Sequence, residues 1–189
     1  AHNWRMVTTN MYARNFLEID NNILLARVDM AGDLTGITAK EFPLFNYLIY
    51  PASLLFGWQH WYGRLINMIV SAFGTYYFYL ILRRFFSEKH AFASTIVLSV
   101  SIWFAYSRKI MPDTFSMSLV LAGLYYGIYY LYSGGKIRVI LYLLLGTAGV
   151  LSKIPSIYVL IVLAIPFFDR RLLIRRKAWE GEQPCRQGW

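Results

Sequence analysis

Carboxylates are concentrated in the first third of the chain, where their spacing could support cation binding or removal of a proton. Asp29 and Asp33 lie four residues apart in VDMAGD, and Glu41 opens the segment EFPLFNY. Carboxylate oxygens bind divalent cations, and a carboxylate beside an acceptor hydroxyl can take its proton. Two alternatives stay open: each acid can be a solvated loop residue, and Glu41 can face the positive end of a helix that begins near Pro43.

Cations at the ends of apolar runs form a second group with possible chemistry. The segment SRKIMPD holds Arg108 and Lys109 shortly before Asp113, Lys153 lies in LSKIP, and Arg64 opens an apolar run. Cations next to a bilayer can hold a lipid-linked phosphate, and Arg can contact it with two N–H groups. Asp113 can instead cap the following helix, and Lys153 and Arg64 can reach back to the aqueous interface.

Other kinds of site find no support in the sequence. His2, His60 and His90 lack a metal-ligand spacing, and no glycine-rich phosphate loop or nucleophile elbow is present. A zinc, ATP or nucleotide-sugar site is therefore not predicted. The lone Cys185 excludes a disulfide within the chain and indicates nothing about the redox compartment.

Composition assigns these residues to a membrane protein. The 189 residues are 57% hydrophobic and 18% aromatic, and the mean hydropathy is +0.41. These values are typical of membrane chains. The net charge of +9 would suggest nucleic acid as a partner of a soluble protein, but here the cations flank apolar runs. The lipid bilayer is therefore the predicted partner, and nucleic acid is not.

The pattern predicts an all-α fold, a polytopic bundle of transmembrane helices after a polar N-terminal region. Residues 1–62 form an acidic exterior loop, with an amphipathic helix at 5–17, irregular chain at 20–41 and an interfacial or re-entrant helix at 42–57. Residues 63–169 form the bundle, and residues 170–189 form a basic tail. The predicted spans are 64–86, 91–106, 114–132, 139–151 and 155–168.

The basic residues between these spans predict the orientation of the chain. Ten lie on one side and three on the other, which makes the first side cytoplasmic. Residues 1–62 then lie outside the membrane, together with 107–113 and 152–155, and the C-terminus is cytoplasmic. The chain begins at Ala1 and ends in EGEQPCRQGW, and we expect it to be a fragment of a longer protein. The ten are Arg83, Arg84, Lys89, Lys136, Arg138, Arg170, Arg171, Arg175, Arg176 and Lys177; the three are Arg108, Lys109 and Lys153.

The order of the motifs resembles a known enzyme family. An acidic loop is followed by EFPLFNYLIY, YGRLIN, SRKIMPD and LSKIP. This order, from about residue 4 to residue 155, is similar to the N-terminal part of C-type-fold membrane glycosyltransferases. It most resembles glycosyltransferase family 39, which includes dolichyl-phosphate-mannose protein mannosyltransferases and the bacterial aminoarabinose transferase. The resemblance implies a bacterial inner (plasma) membrane enzyme that transfers a sugar from a polyprenyl-phosphate donor, with inversion, on the exterior face.

The resemblance also implies roles for individual residues. Related bacterial sequences often have Trp-Arg-Gln-x-Asp-Thr, and here Trp4 and Arg5 match while the expected acid falls on Thr8, which cannot act as a carboxylate base. Asp29 and Glu41 match later acids of the family's loop. They are the predicted catalytic residues and the ligands of a possible divalent cation.

Two hypotheses follow from this reading. In the first, a glycosyltransferase, Asp29 is the general base or a metal-positioning acid with Glu41 as its partner, and a group of polar residues holds the donor phosphate. In the second, the chain is a lipid or sugar-lipid transporter, or a non-catalytic subunit derived from a truncated paralogue, for which the departure at Thr8 is the main support. The predicted phosphate-binding group consists of Arg5, Arg64, Arg108, Lys153 and Asp113.

Overall fold

The computed structural model describes residues 2–29, 32, 35–38 and 41–161, and within them the protein is an all-α bundle. Its one backbone pairing of strand type there is an isolated antiparallel bridge between Arg27 and Ile37. The predicted fold class is confirmed. The helices are α1 (His2–Glu18), α2 (Leu44–Phe56), α3 (Tyr62–Phe85), α4 (Glu88–Val100), α5 (Ile102–Ser107), α6 (Pro112–Ser133) and α7 (Lys136–Ser152), followed by a 3-10 turn (Ile154–Ser156).

Helices α3 and α6 are long and apolar enough to cross a membrane. They contain 24 and 22 residues, and about 20 are needed for the hydrocarbon core. In the most apolar stretch of α6, 56% of the residues are buried inside the protein, against 17% in α3. Helix α6 is therefore the central helix, while α3 presents most of its apolar surface outward.

The remaining predicted spans agree with the structure to different degrees. The predicted span 139–151 lies inside α7, but the predicted span 91–106 is two helices, α4 and α5. The break falls at Ser101, whose backbone is extended and whose hydroxyl accepts a hydrogen bond from the N–H of Trp103. Such side-chain bonding to nearby backbone competes with helix continuation. The predicted span 155–168 begins in the 3-10 turn, and its residues 162–168 lie outside the described residues, as does the predicted tail at 170–189.

Small residues allow the bundle helices to approach closely. A Cβ atom added at Gly149 of α7 would lie 2.6 Å from Val120 Cγ2 and 2.9 Å from the carbonyl oxygen of Ser116. The Ser116 hydroxyl donates back to the Gly149 carbonyl oxygen at 2.6 Å. Helices in lipid associate through this kind of close packing and interhelical hydrogen bonding, since apolar burial alone does not favour contact between helices there. The C-terminal end of α7 is thereby fixed against the first turns of α6.

The N-terminal region packs on this end of the bundle. Predicted helix 5–17 lies within α1, and predicted helix 42–57 is α2, which at 13 residues is too short to cross the membrane. A buried cluster joins α1, α2, α3 and α6 through Ala13, Phe45, Ile49, Tyr62, Ile110 and Phe115, with the Phe45 and Phe115 rings 5.2 Å apart. This core holds α1 over the ends of α6 and α7.

Candidate active site

A cleft of about 270 Å³ opens between the N-terminal region and the bundle. Its walls come from α1, from the loop residues Val28 and Thr38, from residues 41–43, from the first turn of α2, and from the facing ends of α6 and α7 at Pro112 and Ser152. Two hydrogen bonds fix this arrangement. Asn46 donates to the Thr9 carbonyl oxygen at 3.0 Å, and the N–H of Phe42 donates to the Leu151 carbonyl oxygen at 3.2 Å. The cleft therefore has a rigid frame made from parts of the chain more than 100 residues apart.

Glu41 lines this cleft and is exposed to it. The competing explanation, that Glu41 stabilises the start of α2, finds little support in the geometry. Helix α2 begins at Leu44, its N-cap is Pro43, and its first turn holds no acid. Since the dipole effect falls off within the first turn, Glu41 contributes little to the helix. Its carboxylate is thus free of a local structural role among the described residues.

The α1 side of the cleft holds Arg5, Thr8 and Thr9. Both threonine hydroxyls donate to the Arg5 carbonyl oxygen, at 3.0 Å from Thr8 and 2.8 Å from Thr9. Thr8, which replaces the acid expected from the resemblance, therefore serves the backbone of α1. The Arg5 side chain is exposed at the cleft and is the one predicted phosphate-binding residue that lines it among the described residues.

Asp29 has different surroundings from Glu41. Its Oδ2 accepts from the Arg14 guanidinium and its Oδ1 accepts from the Asn15 side-chain amide at 2.8 Å. Asn15 also donates to the Arg27 carbonyl oxygen at 3.0 Å. Asp29 does not line the cleft, and both of its carboxylate oxygens tie the loop to α1. The two predicted catalytic acids are not brought into one described site; Asp33 lies outside the described residues.

Asp113 and Lys153 form an ion pair beside the cleft, next to its lining residues Pro112 and Ser152. Both residues belong to the predicted phosphate-binding group, and the structure pairs them with each other. The Lys153 ammonium contacts Oδ1 of Asp113, and Oδ2 is buried without a hydrogen-bond partner in the described structure. Asp113 does occupy the first turn of α6, where a carboxylate is favourable, although the N-cap residue is Met111. Lys153 is therefore charge-compensated by the protein itself.

Arg64 and Arg108 are exposed and do not line the cleft. The Arg108 guanidinium lies over the Phe104 ring, 5.4 Å from its centre. This cation–π contact orients the side chain along α5. The structure thus separates the predicted phosphate-binding group into Arg5 in the cleft, the Asp113–Lys153 pair at its edge, and two arginines outside it.

Asn67 is a structurally important residue that the sequence reading missed. It is completely buried in α3, and its amide nitrogen donates to carbonyl oxygens of Lys109 at 2.8 Å and of Tyr106 and Met111 at 3.3 Å. Its Oδ1 accepts from the Thr114 hydroxyl at 3.1 Å. One side chain thereby holds the loop between α5 and α6 and the first turn of α6. The signal was the final Asn of YGRLIN, a polar amide near the start of an apolar span, because such residues in membrane helices need internal partners.

The side chains do not favour a metal ion at the two predicted ligands. Among the described residues no three His, Cys, Asp or Glu side chains lie close enough to share an ion. The oxygens of Asp29 already accept from Arg14 and Asn15. A divalent cation would have to displace a guanidinium there. A cation at Asp29 and Glu41 therefore stays a prediction, and no step below depends on it.

Residues 40–181 match the family described as dolichyl-phosphate-mannose-protein mannosyltransferase. The matched range includes Glu41, Asn67, Asp113 and Lys153, while Arg5 and Asp29 precede it. Searches among curated proteins and among solved structures found no match. The match covers most of the chain and agrees with the apolar helices and with the resemblance seen in the motifs. The chain therefore belongs to the dolichyl-phosphate-mannose-protein mannosyltransferase family, and it is a membrane protein of the glycosyltransferase kind.

Proposed function

We propose that the protein transfers a sugar from a polyprenyl-phosphate donor to an acceptor hydroxyl in the cleft, with inversion at the anomeric carbon. The observation that carries this proposal is the pairing of an exposed carboxylate, Glu41, with an exposed guanidinium, Arg5, in one cleft at the ends of membrane helices. A donor of this kind presents its phosphate at the membrane surface while its chain stays in the lipid. The cleft lies where α6 begins and α7 ends. This position at the ends of the bundle helices suits a donor whose phosphate lies at the membrane surface.

The proposed chemistry is a single displacement. The acceptor oxygen forms a bond to the anomeric carbon as the bond from that carbon to the phosphate oxygen breaks, and the phosphate leaves with the bonding electrons. Glu41 takes the proton of the acceptor hydroxyl, which raises the reactivity of the attacking oxygen. Arg5 faces the charge that develops on the leaving phosphate, where a positioned cation is most effective.

The other predicted residues take supporting parts in this proposal. Asp113 neutralises Lys153, and the pair fixes the facing ends of α6 and α7 at the cleft edge. Asp29 holds the loop to α1 through Arg14 and Asn15. Arg64 and Arg108 stay predicted contacts of the donor, supported by their exposure on the same end of the bundle as the cleft. Asp29 is thus proposed as a positioning residue, and Glu41 as the base.

We further propose that the cleft lies on the exterior side of a bacterial inner membrane. The support is the distribution of basic residues, which places 1–62 outside and the C-terminus in the cytoplasm. Donor exposure on that face would require no nucleotide-sugar site, and the sequence contains no motif for one.

The test is donor consumption by the full chain in lipid nanodiscs, with a polyprenyl-phosphate carrying a radiolabelled sugar and a crude membrane extract as the source of acceptor hydroxyls. Release of polyprenyl phosphate is expected from the wild-type protein. Glu41→Gln should lower the rate by about 10² to 10⁴, the range for loss of a general base. The control Glu88→Gln makes the same change at the start of α4, away from the cleft, and should stay within about twofold of the wild-type rate.

Two results would contradict separate parts of the proposal. Wild-type protein that leaves the donor intact would contradict the transferase function, and a transporter would move the donor without consuming it. A wild-type rate in Glu41→Gln would contradict only the assignment of the base. Monodisperse elution of each variant from a sizing column shows that a lost rate is not a lost fold.

A further inference from the structure

A cluster of two arginines and two tyrosines lies at the other end of the bundle from the cleft. The Arg84 guanidinium lies over Tyr132 at 4.0 Å from the ring centre and 5.6 Å from that of Tyr129. The Arg138 guanidinium lies 4.3 Å from the same Tyr129 ring centre. Arg84 ends α3, both tyrosines end α6, and Arg138 begins α7. Two cations from different helices thus share one aromatic ring.

The positive charge of this arginine–tyrosine cluster has no acidic counterpart in the described part of the chain. The ion pairs found there involve Arg14, Arg27 and Lys153, and neither cluster arginine contacts a carboxylate. Glu88, which lies at this end, accepts from the Tyr79 hydroxyl at 3.2 Å instead. Two like charges held together without an acid are unfavourable, and an anion between them would remove that cost.

The start of α7 adds to the same positive field. Its N-cap is Gly135, which offers no side-chain cap, and its first turn holds no acid. The helix opens with Lys136, although the positive end of a helix favours anions. The preceding Gly134 has a φ of +64°, and its carbonyl oxygen accepts from Arg138 at 2.6 Å. The hydrogen bond therefore draws the Arg138 guanidinium back to the turn that precedes α7.

We propose that this cluster binds the phosphate of an anionic phospholipid headgroup. Stacking on a ring face occupies the flat side of a guanidinium and leaves the N–H groups of its edge for phosphate oxygens, apart from the one of Arg138 that donates to Gly134. Along α6, Tyr129 lies roughly 25 Å from Pro112 at the cleft, which is close to the thickness of the hydrocarbon core. The cluster therefore lies at the opposite headgroup layer from the cleft. This site is separate from the proposed donor site and does not depend on the transferase function.

The test is a binding titration of the full chain in detergent by native mass spectrometry. Phosphatidylglycerol, phosphatidylcholine and inorganic phosphate are the three ligands. The variant Arg84→Gln with Arg138→Gln removes both cluster arginines. The control Arg83→Gln with Lys89→Gln removes two exposed cations from the same end that make no ring contact in the described structure. Both pairs lower the net charge by the same amount.

We expect the cluster variant to bind phosphatidylglycerol roughly thirtyfold more weakly, since each interfacial cation contributes about fivefold to binding of an anionic headgroup. The control pair should lose less than about threefold because neither Arg83 nor Lys89 belongs to the cluster, and phosphatidylcholine, which carries no net charge, should bind weakly to all forms. Competition by millimolar inorganic phosphate would show that the phosphate alone is recognised, and its absence that the lipid is required. An equal loss in both variant pairs would overturn the proposal, since it would reflect general surface charge.

A charge-conserving variant guards against misfolding of the glutamine form. Arg84→Lys with Arg138→Lys keeps both charges but lacks the planar N–H edge that contacts two oxygens. It should bind phosphatidylglycerol more weakly than the wild-type chain and regain most of the charge-driven part of the affinity. Binding equal to wild type would contradict the proposed guanidinium–phosphate contact.

Discussion

Positive charge at the two ends of helices α6 and α7 differs in whether it has a carboxylate partner. At the cleft end Lys153 is neutralised by Asp113, a residue from the facing helix. At the other end Arg84 and Arg138 lie on the rings of Tyr129 and Tyr132 without a carboxylate partner in the described structure. The first arrangement satisfies its charge within the protein. The second leaves its charge available to a ligand.

Under the two proposals, one bundle binds a phosphate at each end, and the charges at each end suit what happens to that phosphate. At the cleft end Asp113 neutralises Lys153, so among the described residues Arg5 is the unpaired cation that lines the cleft, as Glu41 also does. A charged donor with a leaving phosphate needs both groups. At the other end the cluster offers cations and no carboxylate, which suits a phosphate that is held and does not react.

The loss of Asn67 should give the largest change at the cleft end. Asn67→Ala is expected to lower the free energy of unfolding by about 3 kcal/mol, because three backbone carbonyls and the Thr114 hydroxyl lose a buried partner. Thermal unfolding in detergent measures it. Ser71→Ala, one turn later on α3, should change stability by less than about 0.5 kcal/mol, since the Ser71 hydroxyl has no partner within the described structure. Equal effects of the two substitutions would contradict the bracing role of Asn67.

The effect of replacing an arginine on the rate of donor consumption should depend on whether its side chain lines the cleft. Arg5→Gln is expected to slow donor consumption by about a hundredfold, the usual cost of removing one group that stabilises developing charge. Arg64→Gln and Arg108→Gln should each cost less than about tenfold, since both side chains are exposed outside the cleft. Initial rates at saturating donor decide between them. A larger loss in Arg108→Gln than in Arg5→Gln would move the phosphate site to the loop before α6.

Breaking the ion pair at the cleft end should cost more than losing a cation at the other end. Lys153→Met leaves Asp113 in a half-buried site with neither oxygen paired, and we expect a loss of about 2 kcal/mol in unfolding free energy. Adding Asp113→Asn should restore part of it. Arg84→Met should cost less than about 1 kcal/mol, the scale of an exposed cation–π contact. Urea or thermal unfolding of the four proteins would contradict the comparison if Arg84→Met proved the more damaging.

The smallest effect is expected at Asp29. Asp29→Asn keeps the shape of the side chain but weakens the contact with Arg14, and stability should fall by about 1 kcal/mol because the pair is largely exposed. Donor consumption should fall less than tenfold. Asn15→Ala removes the other partner and also the bond to the Arg27 carbonyl oxygen, so its loss of stability should be larger, at about 2 kcal/mol. A loss in Asp29→Asn as large as that in Glu41→Gln would return Asp29 to a catalytic role.

The helices of the bundle were predictable where an apolar run ends in charges or turn residues. The spans at 64–86, 114–132 and 139–151 correspond to α3, α6 and α7 because Arg83, Arg84 and the Gly134–Gly135 turn mark their ends. The break at Ser101 was not predictable in the same way. Residues 91–106 form one apolar run, and the hydrogen bond from the Trp103 N–H to the Ser101 hydroxyl has no counterpart in hydropathy.

The candidate site was only partly predictable from the sequence. Glu41 could be singled out because it directly precedes an apolar, proline-containing segment, although the same position also suited an acid at the start of a helix. The pairing of Asp113 with Lys153 joins residues 40 positions apart, and the closure of the cleft by Arg5 depends on how α1 packs. Such contacts arise from tertiary packing, and they cannot be inferred from residue types and spacing alone. The contacts of Arg84 and Arg138 with the tyrosine rings were not predictable for the same reason. In the sequence both residues served only as indicators of orientation.

The most direct test of the proposed donor site in the cleft is to locate the donor on the protein. A polyprenyl-phosphate-linked sugar with a photoreactive group beside the phosphate would be crosslinked to the full chain in nanodiscs, and the labelled peptides identified by mass spectrometry. We expect labels within residues 4–12 and 41–46, and an excess of unlabelled donor should prevent this labelling. Labels concentrated at residues 129–138, with none in the cleft, would contradict it.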